Sequence, residues 1–449
     1  MLKSIFDLFS LLSPEKKRKF ILLQLLVVLT ALMEMLGVAA IIPFMSLVAD
    51  PGTINDYSIL SDISQLFSFN GDQEFLVMVG AIVLSAVLVG NLLASITIWV
   101  SLRFAHQISR YLSTSLFQFY MGKEYVFHTK THSSELTKNI EQEILRLTQG
   151  VLVPVLQINT KLLVVVFISL TLIFVQPYIA ISSVLLLGGA YFLTFGFSRQ
   201  YLVKDDRSVS KEGGNRFKLM SEGFGGIKDV KLHGKERVFV EGFDAASNKL
   251  AFAKARSATI SQVPRYVMET VAFGGIILMT IVLLLSSGGV MEALPIMSLF
   301  AMAGLKLLPA MQQIYTGFSK IKSNIGAYES IRNDLKSATL YDGVASRSGK
   351  KIEVKEGFSL KDTSFGYSAE PVINDLNVGF DKGKMIGFAG ESGAGKSTVI
   401  DILLGILIPD RGGVCIDGVK LTEENIPSWQ NQIGYVPQSI YLMDSSIQA

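Results

Sequence analysis

Two kinds of apolar pattern divide the 449-residue chain. In its first two thirds, long apolar stretches alternate with polar connections. Residues 20–48 are apolar apart from Gln24 and Glu34, and residues 75–102 carry no charge. Each is long enough to cross a hydrocarbon core of ~30 Å as a helix. The apolar stretches 150–175 and 178–197 are parted only by Gln176-Pro177, and 263–287 and 290–314 only by Gly288-Gly289. Such breaks predict tight turns, giving six spans in three helical hairpins. Beyond residue 351 the apolar runs shorten to strand length, with Gly, Asp and Asn between them.

The connections predict an orientation. Residues 49–74 hold no Lys or Arg but contain Asp50, Asp56, Asp62, Asp72 and Glu74, and both tight turns lack basic residues. Basic residues collect instead in Lys16-Lys17-Arg18-Lys19 and in segments 103–148 and 199–262. Cytoplasmic loops are enriched in Lys and Arg, so the acidic loop and the two turns face outward and the basic segments face the cytoplasm. At about 45 and about 64 residues, the two basic segments exceed ordinary loops. They are expected to be helical continuations of the spans that turn back near residues 123–134 and 223–234. Residues 1–19 suit a short interfacial helix, with Ile5, Leu8, Phe9, Leu11 and Leu12 on one side. Residues 59–69 suit either a short amphipathic helix or a polar loop.

Composition fits this picture. A hydrophobic fraction of 49% exceeds the needs of a soluble protein, and a net charge of +3 is too small to argue for nucleic acid. The one cysteine, Cys415, has no intrachain partner for a disulfide and sits in the apolar run Val414-Cys415-Ile416, which predicts burial. No small-residue cleavage site follows the first apolar run, so it reads as retained in the membrane.

The most specific chemistry lies at Gly390-Glu391-Ser392-Gly393-Ala394-Gly395-Lys396-Ser397-Thr398, which has the spacing of a phosphate loop. An apolar strand at 385–389 is expected to deliver the chain and a helix to begin at the loop's end. Glycines then let backbone amides approach phosphate oxygens, and the helix N-terminus faces the same anion. Lys396 would reach the β- and γ-phosphates, and Ser397 would ligate Mg²⁺. Further strands are expected at 351–355, 358–365 and 377–380, and a hairpin at 414–421 around Asp417-Gly418.

Six spans, Ser364-Phe365-Gly366-Tyr367, a phosphate loop beginning 23 positions after Tyr367, and Ile433-Gly434-Tyr435-Val436-Pro437-Gln438 together resemble an ATP-binding-cassette half-transporter of the exporter type. Within that family the lipid and lipid-linked oligosaccharide flippases are the nearer likeness. The resemblance implies an α-helical six-span membrane domain followed by a partial α/β phosphate-loop nucleotide-binding domain. Its divisions would be an interfacial segment 1–19, a membrane domain 20–340, a linker 341–350 and an incomplete cassette 351–449. It also implies ATP and Mg²⁺ as ligands. Tyr367 would stack on adenine, residues Gly390, Ser392, Gly393, Gly395, Lys396, Ser397 and Thr398 would hold phosphates, and Gln438 would sense Mg²⁺ and the γ-phosphate. The turns near 123–134 and 223–234 would be coupling helices. The partner would be a second chain, most simply an identical one. The cassette and the N-terminus would be cytoplasmic, at a plasma or inner membrane.

The signature loop, the Walker B glutamate and the switch histidine of such a cassette do not occur before Ala449. By this reading the 449 residues bind nucleotide weakly without turning it over, and the complete protein runs roughly 100–150 residues longer. Candidate substrate-contacting residues are the ionisable ones inside the spans: Glu34, Lys161, Arg265, Glu269 and Lys306. Such residues are costly in lipid unless they face a cavity or pair with one another. Cations around an inner-leaflet cavity would suit an anionic or lipid-linked headgroup. Snorkelling lysines and structural ion pairs are the alternative. A peptide or drug exporter of the same fold, and a membrane protein using ATP only as a switch, stay open as functions.

Overall fold

A computed structural model of the chain describes residues 2–10, 12–50, 72–285, 289–341, 352, 354–368 and 370–437. The stretch at 59–69, Gly288, linker residues 342–350 and Gln438 lie outside the described residues. The chain forms two compact units, residues 1–111 with 143–332, and residues 112–142 with 333–449.

The first unit is helical. After α1 (Leu2–Ser10) come α2 (Pro14–Ala39) and α3 (Ile41–Ala49), one apolar rod broken at Ala40. Pro43 causes the break, because it has no N–H for the carbonyl four residues earlier. Helix α4 (Asp72–Met121) follows with 50 residues, which at 1.5 Å per residue makes about 75 Å. That is more than twice a hydrocarbon core, so the helix continues well past the apolar stretch. Two short helices that belong to the second unit, α5 (Tyr125–Lys130) and α6 (Ser133–Lys138), turn the chain back. It returns through a π-helical turn at Asn139–Glu143, α7 (Ile144–Leu147), a second π turn at Thr148–Leu152, and α8 (Val153–Val175). The second π turn precedes Pro154, whose missing N–H leaves the helix ladder to widen there.

Gln176, with extended φ and ψ of −142° and 81°, ends α8, and Pro177 opens α9 (Pro177–Gly225). This is the placement proline favours at a helix start. A six-residue helix, α10 (Ile227–Leu232), then reverses the chain into α11 (Glu236–Leu285), and α12 (Gly289–Leu340) completes the set. Four described helical stretches are long and apolar enough to cross a membrane: Pro14–Ala49, Gln73–Met121, Glu135–Val175 and Leu294–Leu340.

Helices α2, α8, α9 and α12 share a core of Ala31, Val38, Val164, Ile168, Leu172, Ala180, Leu299, Phe300 and Ala303. Helices α2 and α4 approach closely at Gly37 and Gly90. A β-carbon on Gly37 would meet Val87 at 3.6 Å, and one on Gly90 would meet the Met33 carbonyl at 3.5 Å. Small residues at helix crossings are how membrane helices gain packing without a hydrophobic driving force. Away from these contacts Leu84, Leu88 and Leu92 form an exposed stripe at helical spacing on α4, a surface that suits lipid rather than water.

The second unit carries an antiparallel sheet of order β2-β1-β3-β4. It comprises β1 (Gly357–Phe365), β2 (Ile373–Asp381), β3 (Arg411–Ile416) and β4 (Val419–Lys420). Asp417 and Gly418, with φ of 48° and 86°, make the tight β3–β4 turn that an Asp-Gly pair favours. Helix α13 (Lys396–Leu403) packs Val399 and Ile402 against Leu360, Phe365, Ile373, Phe380 and Val414. Helix α14 (Ile426–Gln430) closes the far end of α13: Trp429 Nε1 donates to the Leu403 carbonyl at 2.7 Å, and Gln430 Nε2 to the carbonyls of Leu404 and Gly405.

Two strand expectations differ from the structure. Residues 385–389 run to the phosphate loop without joining the sheet, and described residues 352 and 354 are likewise outside any strand. A strand is defined by its neighbour, and among the described residues none of the four strands pairs with either segment. Cys415 is buried in β3, as its apolar flanks predict.

Candidate functional site

The sequence around residue 390 folds into a loop that only glycine makes easily. Gly393 and Gly395 have φ of 88° and 81°, which side-chain-bearing residues avoid. Gly395 is also buried, and a β-carbon there would press on Val372 Cγ1 at 3.4 Å. It caps α13, whose first amides lack intrahelical acceptors. Lys396 folds back over the loop, its Nζ donating to the Gly390 carbonyl at 2.9 Å and the Glu391 carbonyl at 2.6 Å. Gly390, Ser392, Gly393 and Ser397 are exposed, while Thr398 is buried beneath the helix start. Free helix-start amides, left-handed glycines, one ammonium and an exposed hydroxyl form a donor set that fits a polyphosphate with its cation.

Tyr367 lies at the same end of the sheet. Its segment follows β1, where Phe365 pairs with Ile373, and residues 372–373 in turn touch Gly395. The Tyr367 ring is half-buried and stands edge-on to Phe365, centroids 5.0 Å apart. Two contacts shape the turn that holds it: Gly366 N–H donates to Asp410 Oδ2 at 3.0 Å, and Val372 N–H donates to the Phe365 carbonyl at 2.8 Å. Sequence reasoning missed Asp410, since nothing in Pro409-Asp410 announces a contact 44 positions upstream.

Both expected turn-backs contain a six-residue helix, α5 and α10. In the second unit, Val126 of α5 packs against the sheet-and-helix core. Polar bonds brace this turn. Tyr120 Oη donates to Asp334 Oδ2 at 2.6 Å and accepts from Asn139 Nδ2 at 3.2 Å. Burial, then the hydrogen bond to Asp334, pushes the Tyr120 hydroxyl well above its usual pKa.

Four of the five ionisable candidates in the spans are paired. Arg265 Nε donates to Glu269 Oε1 at 2.7 Å, one turn on along α11. Glu34 on α2, with a side chain only 4% exposed, lies 3.5 Å from Lys306 Nζ on α12, which also donates to Asn91 Oδ1 on α4 at 2.9 Å. Among the described residues Lys161 pairs with no carboxylate. It lines a cavity of about 60 Å³ together with Ser101, Gln157, Thr160 and Gln313.

A membrane-helix unit joined to a phosphate-loop unit defines a nucleotide-binding membrane protein. Comparison with known families narrows this. The family model described as ABC transporter transmembrane region matches residues 20–304, and the one described as ABC transporter matches residues 373–448. The chain belongs to the ABC transporter family. It is 23% identical over 229 residues to the ATP-dependent lipid A-core flippase of Yersinia pestis bv. Antiqua, covering 49% of this chain and 38% of that protein. Over 82 residues it is 40% identical to the glutathione/L-cysteine transport system ATP-binding/permease protein CydC of Bacillus subtilis, covering 18% of this chain and 14% of that one. The matched region thus spans about two fifths of the flippase's length. Its fold is similar to a bacterial Atm1-family ABC exporter solved with ATP bound, with a TM-score of 0.60 at 16% identity, covering 94% of this chain and 71% of that one. The architecture is that of an ABC exporter, and ATP is the nucleotide that family binds.

Proposed function

We propose that the chain works as half of an ATP-driven exporter that moves a lipid-linked or anionic amphiphilic substrate from the inner leaflet outward. Two copies pair. Each contributes six spans, at 20–48, 75–102, 150–175, 178–197, 263–287 and 290–314, with the N-terminus and cassette in the cytoplasm of a plasma or inner membrane. The observation that carries the reading is the loop from Gly390 to Thr398, whose left-handed glycines and N-terminal helix amides suit a triphosphate, in one chain with an exporter-type membrane domain. Lys396 and the loop amides hold the phosphates, Ser397 and Gln438 meet Mg²⁺, and Tyr367 stacks on the base. When bound, the nucleotide supplies the free energy that biases the membrane domain between inward- and outward-facing states.

Lipid cargo is supported by the resemblance to a protein named as a lipid A-core flippase and by cations within the spans. The similarity to CydC favours a second reading, export of a small thiol by the same fold. The test is retention of labelled ATP by purified protein in detergent. Wild type retains it and Lys396→Ala loses it; equal retention by both removes the nucleotide reading.

A further inference from the structure

The cavity beside Lys161 sets it apart from every other cation in the described spans. Burying an ammonium in a membrane domain is tolerated when a carboxylate neutralises it or when it faces a space that something polar fills. Arg265 and Lys306 take the first route, through Glu269 and Glu34. The small space beside Glu34 and Lys306, about 20 Å³, is lined otherwise by apolar residues, Asn91 and glycines, and the ammonium's hydrogen bond already goes to Asn91. Lys161 takes the second route. Its cavity is three times larger and is drawn from three helices: Ser101 on α4, Gln157, Thr160 and Lys161 on α8, and Gln313 on α12.

The wall chemistry is one-sided. Among the described residues it presents one ammonium, two amides and two hydroxyls, and no carboxylate. The Thr160 hydroxyl is spent on the Leu156 carbonyl at 3.1 Å. The side chains of Ser101, Gln157, Lys161 and Gln313 have no hydrogen-bond partner among the described residues. Ser101 is 7% exposed, so its hydroxyl is an unspent polar group in the wall of this space. An unsatisfied buried polar group is expensive in a membrane interior, and that cost falls here on Ser101, since Gln157 and Gln313 are exposed. The buried Ser101 hydroxyl, the half-buried Lys161 ammonium and the exposed amides of Gln157 and Gln313 together suit a ligand that accepts hydrogen bonds and carries negative charge. The volume is several times the ~10–15 Å³ that one water needs, which suits a single oxyanion group.

We propose that Ser101, Gln157, Lys161 and Gln313 form an oxyanion subsite that receives one phosphate of an amphiphilic substrate, while Glu34–Lys306 and Arg265–Glu269 are ion pairs that hold helices. The proposal rests on the export reading above and names the substrate class at its site. The phosphate could come from a lipid headgroup or from free phosphate, and the experiment separates the two.

The full transporter, reconstituted in phosphatidylcholine nanodiscs, is titrated with dioleoyl phosphatidic acid, with dioleoylglycerol and with inorganic phosphate, and bound ligand is counted by native mass spectrometry. Phosphatidic acid is expected to bind at least 10-fold more tightly than dioleoylglycerol. Lys161→Met should erase that preference, Lys161→Arg should keep most of it, and Gln157→Leu and Gln313→Leu should each weaken it about 3- to 10-fold. Thermal midpoints of the Lys161 variants should match wild type, which shows that the fold is intact. Tight binding of inorganic phosphate with no phosphatidic acid preference would reassign the subsite to a soluble anion and overturn the headgroup assignment. Wild-type phosphatidic acid affinity in Lys161→Met would mean the lysine only snorkels, and would overturn the subsite altogether. Lipid movement is read separately. Lys161-independent binding with intact ATP-driven lipid movement fells the subsite alone. Lys161-dependent binding without any such movement fells the export reading alone.

Discussion

Replacing Lys306 by methionine is the sharpest test of how the membrane unit is held together. Lys306 joins three helices, through Glu34 on α2 at 3.5 Å and Asn91 on α4 at 2.9 Å. It lies on α12 three positions before Pro309, which removes a backbone hydrogen bond from that stretch of helix. Two unit charges 3.5 Å apart attract by roughly 5 kcal/mol at an effective dielectric near 20. The hydrogen bond to Asn91 adds about 1.5–3 kcal/mol before desolvation is counted. Lys306 is 28% exposed, which screens part of this, while Glu34 is 4% exposed and is left with an unpaired carboxylate when the lysine goes. The net loss should therefore be about 2–4 kcal/mol. Glu34→Gln combined with Lys306→Met removes both charges and should recover at least half of it, the non-additivity expected of a coupled pair. Unfolding by SDS titration in mixed micelles, followed by tryptophan fluorescence, measures all three variants. A single variant within about 0.5 kcal/mol of wild type, or a double variant no better than the single, would refute the claim that this pair carries tertiary stability.

Other expectations follow from the second unit. Asp417 accepts the N–H groups of Lys355, Glu356 and Gly357 at 2.7–2.9 Å, which hold its carboxyl below the usual carboxylate range. Stability from those bonds is fully present above the unfolded value near 3.9 and is lost as pH falls through the lower folded value, so Asp417→Asn should flatten the acid limb of the unfolding curve. Trp429→Phe deletes the donor to the Leu403 carbonyl and should cost about 1–3 kcal/mol, read as a lower denaturant midpoint. Gly395→Ala meets both a φ of 81° and the Val372 side chain; a loss of about 1–2 kcal/mol together with weaker retention of labelled ATP is the expected result.

What could be read without coordinates was whatever depends on neighbours along the chain. Span-length apolar runs, the Gln176-Pro177 break, the Asp417-Gly418 turn and the glycine spacing of the phosphate loop are all local, because helix length, proline's missing N–H and glycine's φ range act within a few residues. The places where long helices turn back, near 123–134 and 223–234, were legible for the same reason. Pairing was not. The segment 385–389 has every local mark of a strand, yet strand character requires a partner that the described sheet does not provide.

The ionisable residues make the same division. Hydropathy singled out Glu34, Lys161, Arg265, Glu269 and Lys306 as costly in lipid, because that cost belongs to the side chain itself. How each cost is met depends on which helices lie side by side. Only tertiary packing brought Glu34 to Lys306, Asp410 to Gly366, and Ser101 and Gln313 to Lys161, since an electrostatic or hydrogen-bonded contact acts over a few ångströms of space and is blind to distance along the chain.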